Sequence, residues 1–439
     1  MVELVAASDL PARAAGPLTP AQRLRAILGG SAGNLVEWYD WFAYSAFSIY
    51  FAAVFFPEGD STAQLLKSAA VFAVGFFARP VGAWWLGRYA DRRGRRAALT
   101  LSVGLMCLGS LLIALLPGYG AIGAAAPAAL LFARILQGLS VGGEYGASAT
   151  YLSEMAGRNA RGFWSSFQYV TLIMGQLLAL AVLLLLQAVL TPEQLESWGW
   201  RIPFLVGAGL AVVVFWIRRG IEETPSFAAA EGQERGRTLT LFRRYPRETF
   251  FLAVLTAGGS LSFYAYTTYM QKFLVGTAGF ARDQASQVMT AALLVFMLVQ
   301  PLFGWLSDRV GRKPMLIGAF GGGALAAWPA FTAIERADSV GQAFGLVLIP
   351  LLILSAYTSV GAIIKAELFP AHVRALGVAL PYALANAAFG GTAEYAALSF
   401  KSAGAESGFY LYVSAILAAG FAVALILPDT QKVSLIEED

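Results

Sequence analysis

A ten-residue charged pattern occurs twice in this chain, and the two copies lie half a chain length apart. The pattern G-x-x-x-D-R-x-G-R-[R/K] spans residues 87–96 and returns at 304–313, an offset of 217 in a chain of 439 residues. Each copy follows one long apolar run and precedes another. A charged pattern repeated at half-length between apolar runs is typical of a duplicated membrane protein. The sequence therefore predicts two halves of the same architecture.

A second charged pattern supports the duplication. Glu154 and Arg161 follow the fourth long apolar run, and Glu367 and Arg374 follow the tenth. The spacing is seven residues in both copies, and the offset between the copies is 213. Two independent patterns at corresponding places make a chance match a poor explanation.

The composition places this chain in a membrane. Hydrophobic residues make up 58% of it and charged residues only 13%, whereas a soluble chain carries about 25% charge. So little polar surface cannot cover two water-exposed domains. The net charge of +4 does not indicate nucleic-acid binding, because the basic residues lie mostly in short loops between the apolar runs.

Twelve apolar segments are long enough to cross a bilayer, which takes roughly 20 residues. The class predicted is an all-α membrane protein with two pseudo-symmetric six-helix bundles. The predicted spans are 29–56, 66–87, 97–117, 127–150, 163–190, 200–218, 249–275, 284–305, 314–334, 342–364, 376–400 and 407–428. The predicted domains are a tail at 1–28, a bundle at 29–218, a polar loop at 219–248, a bundle at 249–428 and a tail at 429–439.

Loop charge predicts the orientation of the spans. If both termini are cytoplasmic, 22 Lys and Arg residues lie on the inner side and 5 on the outer side. Positive residues accumulate on the cytoplasmic side of membrane proteins. We therefore expect a multi-pass protein of a bacterial inner membrane with both ends in the cytoplasm.

Several enzyme classes are disfavoured by what the sequence lacks. His372 is the sole histidine and Cys107 the sole cysteine, which argues against a His-clustered metal site and an internal disulfide. Residues 138–142 match G-x-S-x-G, but they lie inside a predicted span, where small residues favour helix packing. No ATP-binding loop of the G-x-x-x-x-G-K-[ST] type occurs. We predict a protein that is not an enzyme and has no cofactor.

Ionisable residues inside the predicted spans are the candidate functional groups. Asp40, Arg79 and Arg134 fall near mid-depth, where a charge is costly unless it is paired or faces water. The alternative is that they only hold the bundle together by ion pairs and hydrogen bonds. Glu37 and Glu144 lie closer to the inner interface, where that structural role is favoured.

Polar side chains on the same spans complete the predicted path. Arg79 is the predicted clamp for a carboxylate, because its planar guanidinium binds carboxylates with two parallel hydrogen bonds. Lys272 is predicted to serve a second carboxylate or the entry path, the alternative being a lysine that extends to the interface. The other candidates for substrate binding are Tyr44, Gln137, Tyr145, Gln168 and Tyr264.

These motifs resemble those of the major facilitator superfamily. The repeated loop pattern is similar to the superfamily's loop signature, and residues 134–138 resemble its R-x-x-x-G motif, associated with proton-coupled members. Residues 33–40, 79–80 and 198–203 resemble the metabolite:proton symporter family within it. Members of that family carry solutes such as oxoglutarate, citrate, shikimate, proline and betaine. The resemblance covers about residues 25–428.

The resemblance implies roles for particular residues. Asp40 and Arg134 match a first-helix acid and a fourth-helix arginine that form a proton-linked pair. Apart from the resemblance, Glu37 and Glu144 are the reserve acids for proton coupling. Asp91 and Asp308 match the loop acids that close the inner side by meeting helix ends and loop arginines. The gating residues expected here are these two with Arg95 and Arg312.

The expected function is proton-coupled import of a small dicarboxylate such as 2-oxoglutarate by alternating access. Alternatives are another carboxylate or a zwitterion, namely citrate, shikimate, proline or betaine, and a membrane receptor that does not transport. Few residues follow the last predicted span and they lack heptads, which disfavours a coiled-coil osmotic sensor. The expected partners are the carboxylate, protons and the lipid bilayer, without nucleic acid, and the expected functional unit is a monomer.

Overall fold

A computed structural model describes residues 20–93, 95–142, 160–219 and 243–434. Within these ranges every regular element is helical, and the long helices number twelve. We call residues 20–219 the first half and residues 243–434 the second half. The long helices of the first half are α1 (Pro20–Phe55), α2 (Ser61–Arg93), α3 (Arg95–Leu115), α4 (Ala125–Val141), α5 (Arg161–Val189) and α6 (Ile202–Arg219).

The second half contains the other six long helices, and two of them include a π-helical turn. The turns are Ala265–Tyr269 in α7 and Asn386–Gly390 in α11. Such turns widen a helix locally and occur often at functional sites. The helices are α7 (Pro246–Gly276), α8 (Arg282–Val310), α9 (Arg312–Glu335), α10 (Val340–Glu367), α11 (371–402) and α12 (Glu406–Ile426).

The same helix pairs pack together in both halves. In the first half α1 packs on α5, α2 on α4 and α3 on α6. In the second half the corresponding pairs are α7 with α11, α8 with α10 and α9 with α12. The halves meet through α2 against α11 and through α5 against α8. These two contacts correspond to each other, because each helix of the first half matches the helix six places later in the second half. The architecture is therefore two pseudo-symmetric six-helix bundles, as the repeated pattern predicts.

The outer surface of the bundles is apolar. Seven helices in the described part of the chain are long and apolar enough to cross a membrane by length and composition, and three shorter helices are also apolar. Large side chains such as Phe132, Leu298 and Leu325 point outward, and Leu325 is 82% exposed. A surface of this kind is stable only against lipid, because water would face a large contiguous apolar area.

The repeated motif is more helical than the sequence predicts. The connection predicted at 306–313, between the spans 284–305 and 314–334, is shorter in the structure, because α8 continues to Val310 and α9 begins at Arg312. Only Gly311 breaks the helix, with φ of 95°, a left-handed conformation that favours glycine. In the first copy α2 continues to Arg93, and α3 begins at Arg95.

The predicted amino-terminal tail is also too long. The sequence places a tail at 1–28, whereas α1 begins at Pro20. Proline is favoured at the first helical position, since it has no N–H to leave unpaired and its φ is already helical. The polar loop predicted at 219–248 likewise ends early, because α7 begins at Pro246.

Close packing of α2 on α4 explains the small residues at 138–142. A Cβ at Gly138 would collide with the carbonyl oxygen of Gly75, and one at Gly142 would collide with that of Arg79. Ser140 donates its hydroxyl hydrogen to Ser102 O of α3 at 2.8 Å, so it serves helix contact. The glycines therefore let the backbones of α2 and α4 approach, which fixes the position of Arg79.

Candidate functional site

Asp40 lies at the centre of a buried hydrogen-bond network in the first half. Its Oδ2 accepts from Ser110 Oγ of α3 and from Gln137 Nε2 of α4, each at 2.5 Å. Gln137 Oε1 in turn accepts from Arg134 Nη1 at 2.6 Å. Among the described residues, no hydrogen bond reaches Asp40 Oδ1 and no ion pair within 4.0 Å joins Asp40 to Arg134. Gln137 therefore bridges the acid and the arginine, which the sequence expects to pair.

Arg134 is held mainly by aromatic rings. Its guanidinium carbon lies 4.0 Å from the ring centroid of Trp41 and 4.4 Å from that of Tyr44, both in α1. Among the described residues, Arg134 Nε and Nη2 have no hydrogen-bond partner. Cation–π contact stabilises a desolvated cation without neutralising it. Arg134 thus stays a buried positive charge, linked to Asp40 through one amide.

Arg79 of α2 lies at the boundary between the two halves. Its guanidinium carbon is 4.0 Å from the ring centroids of both Trp41 and Phe76. On the side of the second half it contacts the hydroxyl of Tyr264 of α7, which also interacts with Asn386 of α11. Arg79 is 5% exposed, and in the described structure its Nε and Nη2 make no hydrogen bond. Two nitrogen atoms of a buried guanidinium therefore carry unused donors.

Lys272 of α7 is buried in a cluster that joins the two halves. Its Nζ donates to Ser45 Oγ at 2.8 Å and to Ser45 O at 3.0 Å, both in α1. It also pairs with Glu394 Oε2 of α11 at 2.9 Å, and Ser45 Oγ donates to the same oxygen at 3.0 Å. The lysine does not extend to the interface, because only 1% of its side chain is exposed. We call Lys272, Ser45 and Glu394 the Lys272 cluster.

A cavity of about 650 Å³ opens between the halves at the end where α7 and α8 meet. We call it the vestibule. Lys272, Arg282 and Lys401 belong to its wall, together with one acid, Glu196. Its volume is in the range of small-molecule sites, about 300–1,000 Å³. Arg79 is not among the residues that line it, and the cavity beside Ser45 measures only about 10 Å³, room for one water.

The opposite end of the molecule is closed by Asp308. Its two carboxylate oxygens accept from the backbone N–H groups of Gly162 and Phe163, at 2.8 and 2.9 Å, where α5 begins. Arg312 holds the same carboxylate at 2.9 Å and lies 3.9 Å from Glu367. Helix amino termini favour negative charge. A side chain of the second half thus caps a helix of the first half.

The other predicted residues divide into three groups. Tyr44 is buried and donates to Ser68 O at 3.1 Å, away from the vestibule, and Gln168 is fully buried in α5. Glu37 is buried near Arg79 and interacts with it electrostatically. Tyr145 lies outside the described residues, as do the side chains of Asp91 and Arg95.

Sequence reasoning missed Glu394, Ser45 and Ser110. Glu394 is an acid inside the apolar segment predicted at 376–400, and the cost of burying a charge is the signal that could have identified it. The two serines carry no comparable signal, because hydroxyl groups are common in membrane helices and bond to their own backbone. Their roles depend on which helices face each other.

Comparison with known proteins gives one family and several relatives. The family model for "Sugar (and other) transporter" matches residues 26–245 and again 230–439. The alpha-ketoglutarate permease of Escherichia coli is 54% identical over 408 residues, covering 92% of this chain and 94% of the permease. A citrate-proton symporter of Klebsiella pneumoniae is 34% identical over 401 residues, covering 90% of each chain.

The fold also matches solved transporter structures. The crystal structure of a D-xylose-proton symporter superposes with a TM-score of 0.72 at 20% identity. The match covers 93% of this chain and 98% of the symporter. At that identity the likeness concerns the fold alone.

Proposed function

The chain belongs to the sugar (and other) transporter family of the major facilitator superfamily, and we propose that it imports a small dicarboxylate together with protons. The proposed substrate is 2-oxoglutarate. The observation that carries this proposal is the 54% identity to a permease for that compound along almost the whole chain. The 34% identity to a citrate-proton symporter supports coupling to protons within the same family.

The direct test is uptake by the purified protein in proteoliposomes. We expect radiolabelled 2-oxoglutarate to accumulate when protons are more concentrated outside, and not when the proton gradient is absent. Excess unlabelled 2-oxoglutarate should compete, whereas citrate, proline and betaine should compete weakly. Accumulation of citrate in preference to 2-oxoglutarate would reassign the substrate, and the lack of any pH-driven uptake would remove the proposed coupling.

Arg79 is the proposed ligand for one carboxylate of the substrate. It lies between the halves, and its two unused nitrogens, Nε and Nη2, can each donate to one oxygen of a carboxylate. The rings of Trp41 and Phe76 both pack against the guanidinium, which sets its position before substrate arrives. Tyr264 adds a hydroxyl group beside Arg79. Lys272, in the wall of the vestibule, is the proposed partner of the second carboxylate or of the entry path.

Asp40 is the proposed proton carrier. A dianion entering an inside-negative cell is opposed by about 2.3 kcal/mol per charge per 100 mV, so uptake requires cations to move with it. Asp40 is fully buried, and its Oδ1 is free to take a proton as far as the described residues go. Gln137 connects it to Arg134, so a shift of α4 against α1 changes the field at the acid.

Alternating access follows from the two ends of the molecule. With both termini placed in the cytoplasm, the vestibule faces outward and Asp308 closes the inner side. Rocking of the two halves would open the Asp308 contact and close the vestibule over the substrate. We propose that one chain does this alone, as a functional monomer in a bacterial inner membrane, since both halves of the path belong to it.

A further inference from the structure

The carboxylate of Glu394 forms an ion pair with the buried ammonium group of Lys272 in the described conformation. The side chains of Glu394 and Lys272 are 3% and 1% exposed, and their charged atoms lie 2.9 Å apart. Burying two charges costs several kcal/mol per ion, so a pair of this kind needs further hydrogen bonds to persist. Ser45 supplies them, since its hydroxyl group accepts from Lys272 and donates to Glu394.

The same cluster connects the halves. Ser45 belongs to α1 of the first half, whereas Lys272 and Glu394 belong to α7 and α11 of the second. Lys272 has three N–H donors, and the three bonds in this cluster use them all. A further anion can therefore reach Lys272 only by displacing a partner that is already bound.

The vestibule supplies such an anion with an entry route. Lys272, Arg282 and Lys401 give its wall three positive groups against the one negative group of Glu196. Of these three cations, Arg282 pairs with Glu196 at 2.5 Å and Lys401 lies 3.7 Å from Glu406, both partly exposed. Lys272 differs because its partner is buried and is shared with the opposite half. Among the three, it is the cation whose pairing an arriving carboxylate would change most.

We propose that Glu394 competes with the second carboxylate of the substrate for Lys272. A dicarboxylate that enters from the vestibule takes the place of Glu394 on the ammonium group, and Glu394 then leaves Ser45 as well. The exchange breaks the tie between α11 and α1, so the substrate itself loosens one contact between the halves. This inference rests on the proposed dicarboxylate function and adds to it the residue that sets the affinity for the second carboxylate.

The proposal predicts that removing the competing charge tightens binding of dicarboxylates selectively. Glu394→Gln keeps the shape of the side chain but leaves Lys272 without a permanent anion. The dissociation constant of 2-oxoglutarate should fall about tenfold, the scale expected for one charge-assisted hydrogen bond. The five-carbon monocarboxylate 2-oxopentanoate lacks the second carboxylate, so its dissociation constant should change less than about twofold.

The experiment is calorimetric titration of both compounds into full-length wild type and Glu394→Gln in lipid nanodiscs at fixed pH and salt. Glu406→Gln is the matched control, because it also removes an acid beside a vestibule lysine, and we expect no selective effect. A second variant, Ser45→Ala, loosens the hold on Glu394 without changing charge and should tighten 2-oxoglutarate by about threefold. This variant tests the idea even if Glu394→Gln fails to fold.

The outcomes separate this inference from the function on which it rests. If wild type binds no dicarboxylate, the proposed function fails. If wild type binds 2-oxoglutarate but neither variant binds it more tightly, competition by Glu394 is wrong. Equal tightening of 2-oxoglutarate and 2-oxopentanoate would also overturn it, because the second carboxylate would then play no part. A purely structural Glu394 would lower the unfolding midpoint without raising affinity, which is a further overturning result.

Discussion

In the first half, the guanidinium carbon of Arg79 lies 4.0 Å from the centroids of two aromatic rings, and its Nε and Nη2 atoms bind nothing among the described residues. In the second half, the ammonium of Lys272 uses all three of its donors, one of them on the carboxylate of Glu394. Both cations are at least 95% buried and both face the boundary between the halves. Arg79 therefore has donors available for an anion, whereas Lys272 already pairs with one.

The difference shows that the duplicated scaffold has kept its packing but not its chemistry. The pairs α1 with α5 and α7 with α11 correspond in position. Nevertheless α1 carries Asp40, whereas α7 carries no acid beyond Glu248 in its first turn. Conversely α11 carries a π-helical turn and Glu394, while α5 is built without a π-helical turn. The two bundles therefore share a packing scheme, whereas their buried charged residues differ.

The largest expected effect comes from removing Arg79, the buried cation with unused donors. Arg79→Ala should weaken 2-oxoglutarate binding by at least about 100-fold, because losing one side of a buried charged contact costs about 2–5 kcal/mol. Arg79→Lys should recover only part of this, since a lysine lacks the planar pair of donors. Calorimetric titration of the folded variants measures both losses.

Arg309→Ala is the matched control, because the guanidinium carbon of Arg309 also lies over an aromatic ring, 3.7 Å from the ring centroid of Trp305. Unlike Arg79, Arg309 is exposed. This variant should bind as wild type does. Wild-type affinity in Arg79→Ala would refute the clamp and would leave Lys272 as the main cation for the substrate.

The second prediction concerns Asp40, the buried acid of α1 that has no counterpart in α7. Asp40→Asn should abolish uphill accumulation of 2-oxoglutarate under a proton gradient but preserve exchange of substrate across the membrane. The amide keeps the hydrogen-bond geometry with Ser110 and cannot carry a proton. Uptake and counterflow in the same proteoliposomes measure the two activities.

Asp60→Asn serves as the control for that variant. Asp60 accepts a hydrogen bond from Ala63 N at 2.8 Å at the exposed start of α2 and takes no part in the hydrogen bonds around Asp40. It should accumulate substrate normally. Normal pH-driven accumulation in Asp40→Asn would move the coupling to another acid, with Glu37 and Glu394 the next to test.

Hydropathy and charge predict the fold class and the positions of most helices, because both depend mainly on which residues are removed from water. Twelve apolar segments correspond to the twelve long helices, and buried charges mark Asp40, Arg79 and Arg134. The π-helical turns in α7 and α11 were not predicted, because a hydropathy window does not detect a change in backbone hydrogen bonding. The sequence did not predict that the motif is helical, because a short charged segment between two apolar segments is usually interpreted as a loop.

The site could be predicted only as a set of residues and not as an arrangement. The resemblance pairs Asp40 with Arg134, yet Gln137 lies between them, a difference of a few ångströms that depends on how α1 approaches α4. Lys272 could equally be an interfacial lysine by sequence, since only the tertiary fold brings Glu394 from 122 residues away. Contacts of this separation have no local sequence signal.

The third prediction tests whether the end closed by Asp308 acts as a gate. Asp308→Asn keeps one acceptor oxygen but loses the charge that binds Arg312 and the start of α5. We expect the closed state to be less populated and uptake to fall about fivefold, because the closed state loses the free energy of about one charge-assisted hydrogen bond. In a Cys107→Ser background, a cysteine introduced by Ser165→Cys should react several-fold faster with a thiol reagent from that side.

Asp283→Asn is the control for the gate, because Asp283 lies at the opposite end of the same helix, α8. It should leave both uptake and labelling unchanged. Wild-type uptake together with wild-type labelling in Asp308→Asn would mean that the contact is not a gate.

The smallest expected effect comes from replacing Lys272, the cation that is already paired. The size of this effect depends on its partner, Glu394. In wild type, 2-oxoglutarate exchanges one carboxylate for another at Lys272, so Lys272→Gln should cost only about threefold in affinity, well under the effect at Arg79. In a Glu394→Gln background the same change should cost at least about tenfold more, because there the substrate gains a free cation. Titrating the four members of this double-variant cycle measures the coupling between the two residues. Equal costs in both backgrounds would mean that Lys272 and Glu394 do not share the substrate's second carboxylate, and the contrast between an open and an occupied cation would then rest on Arg79 alone.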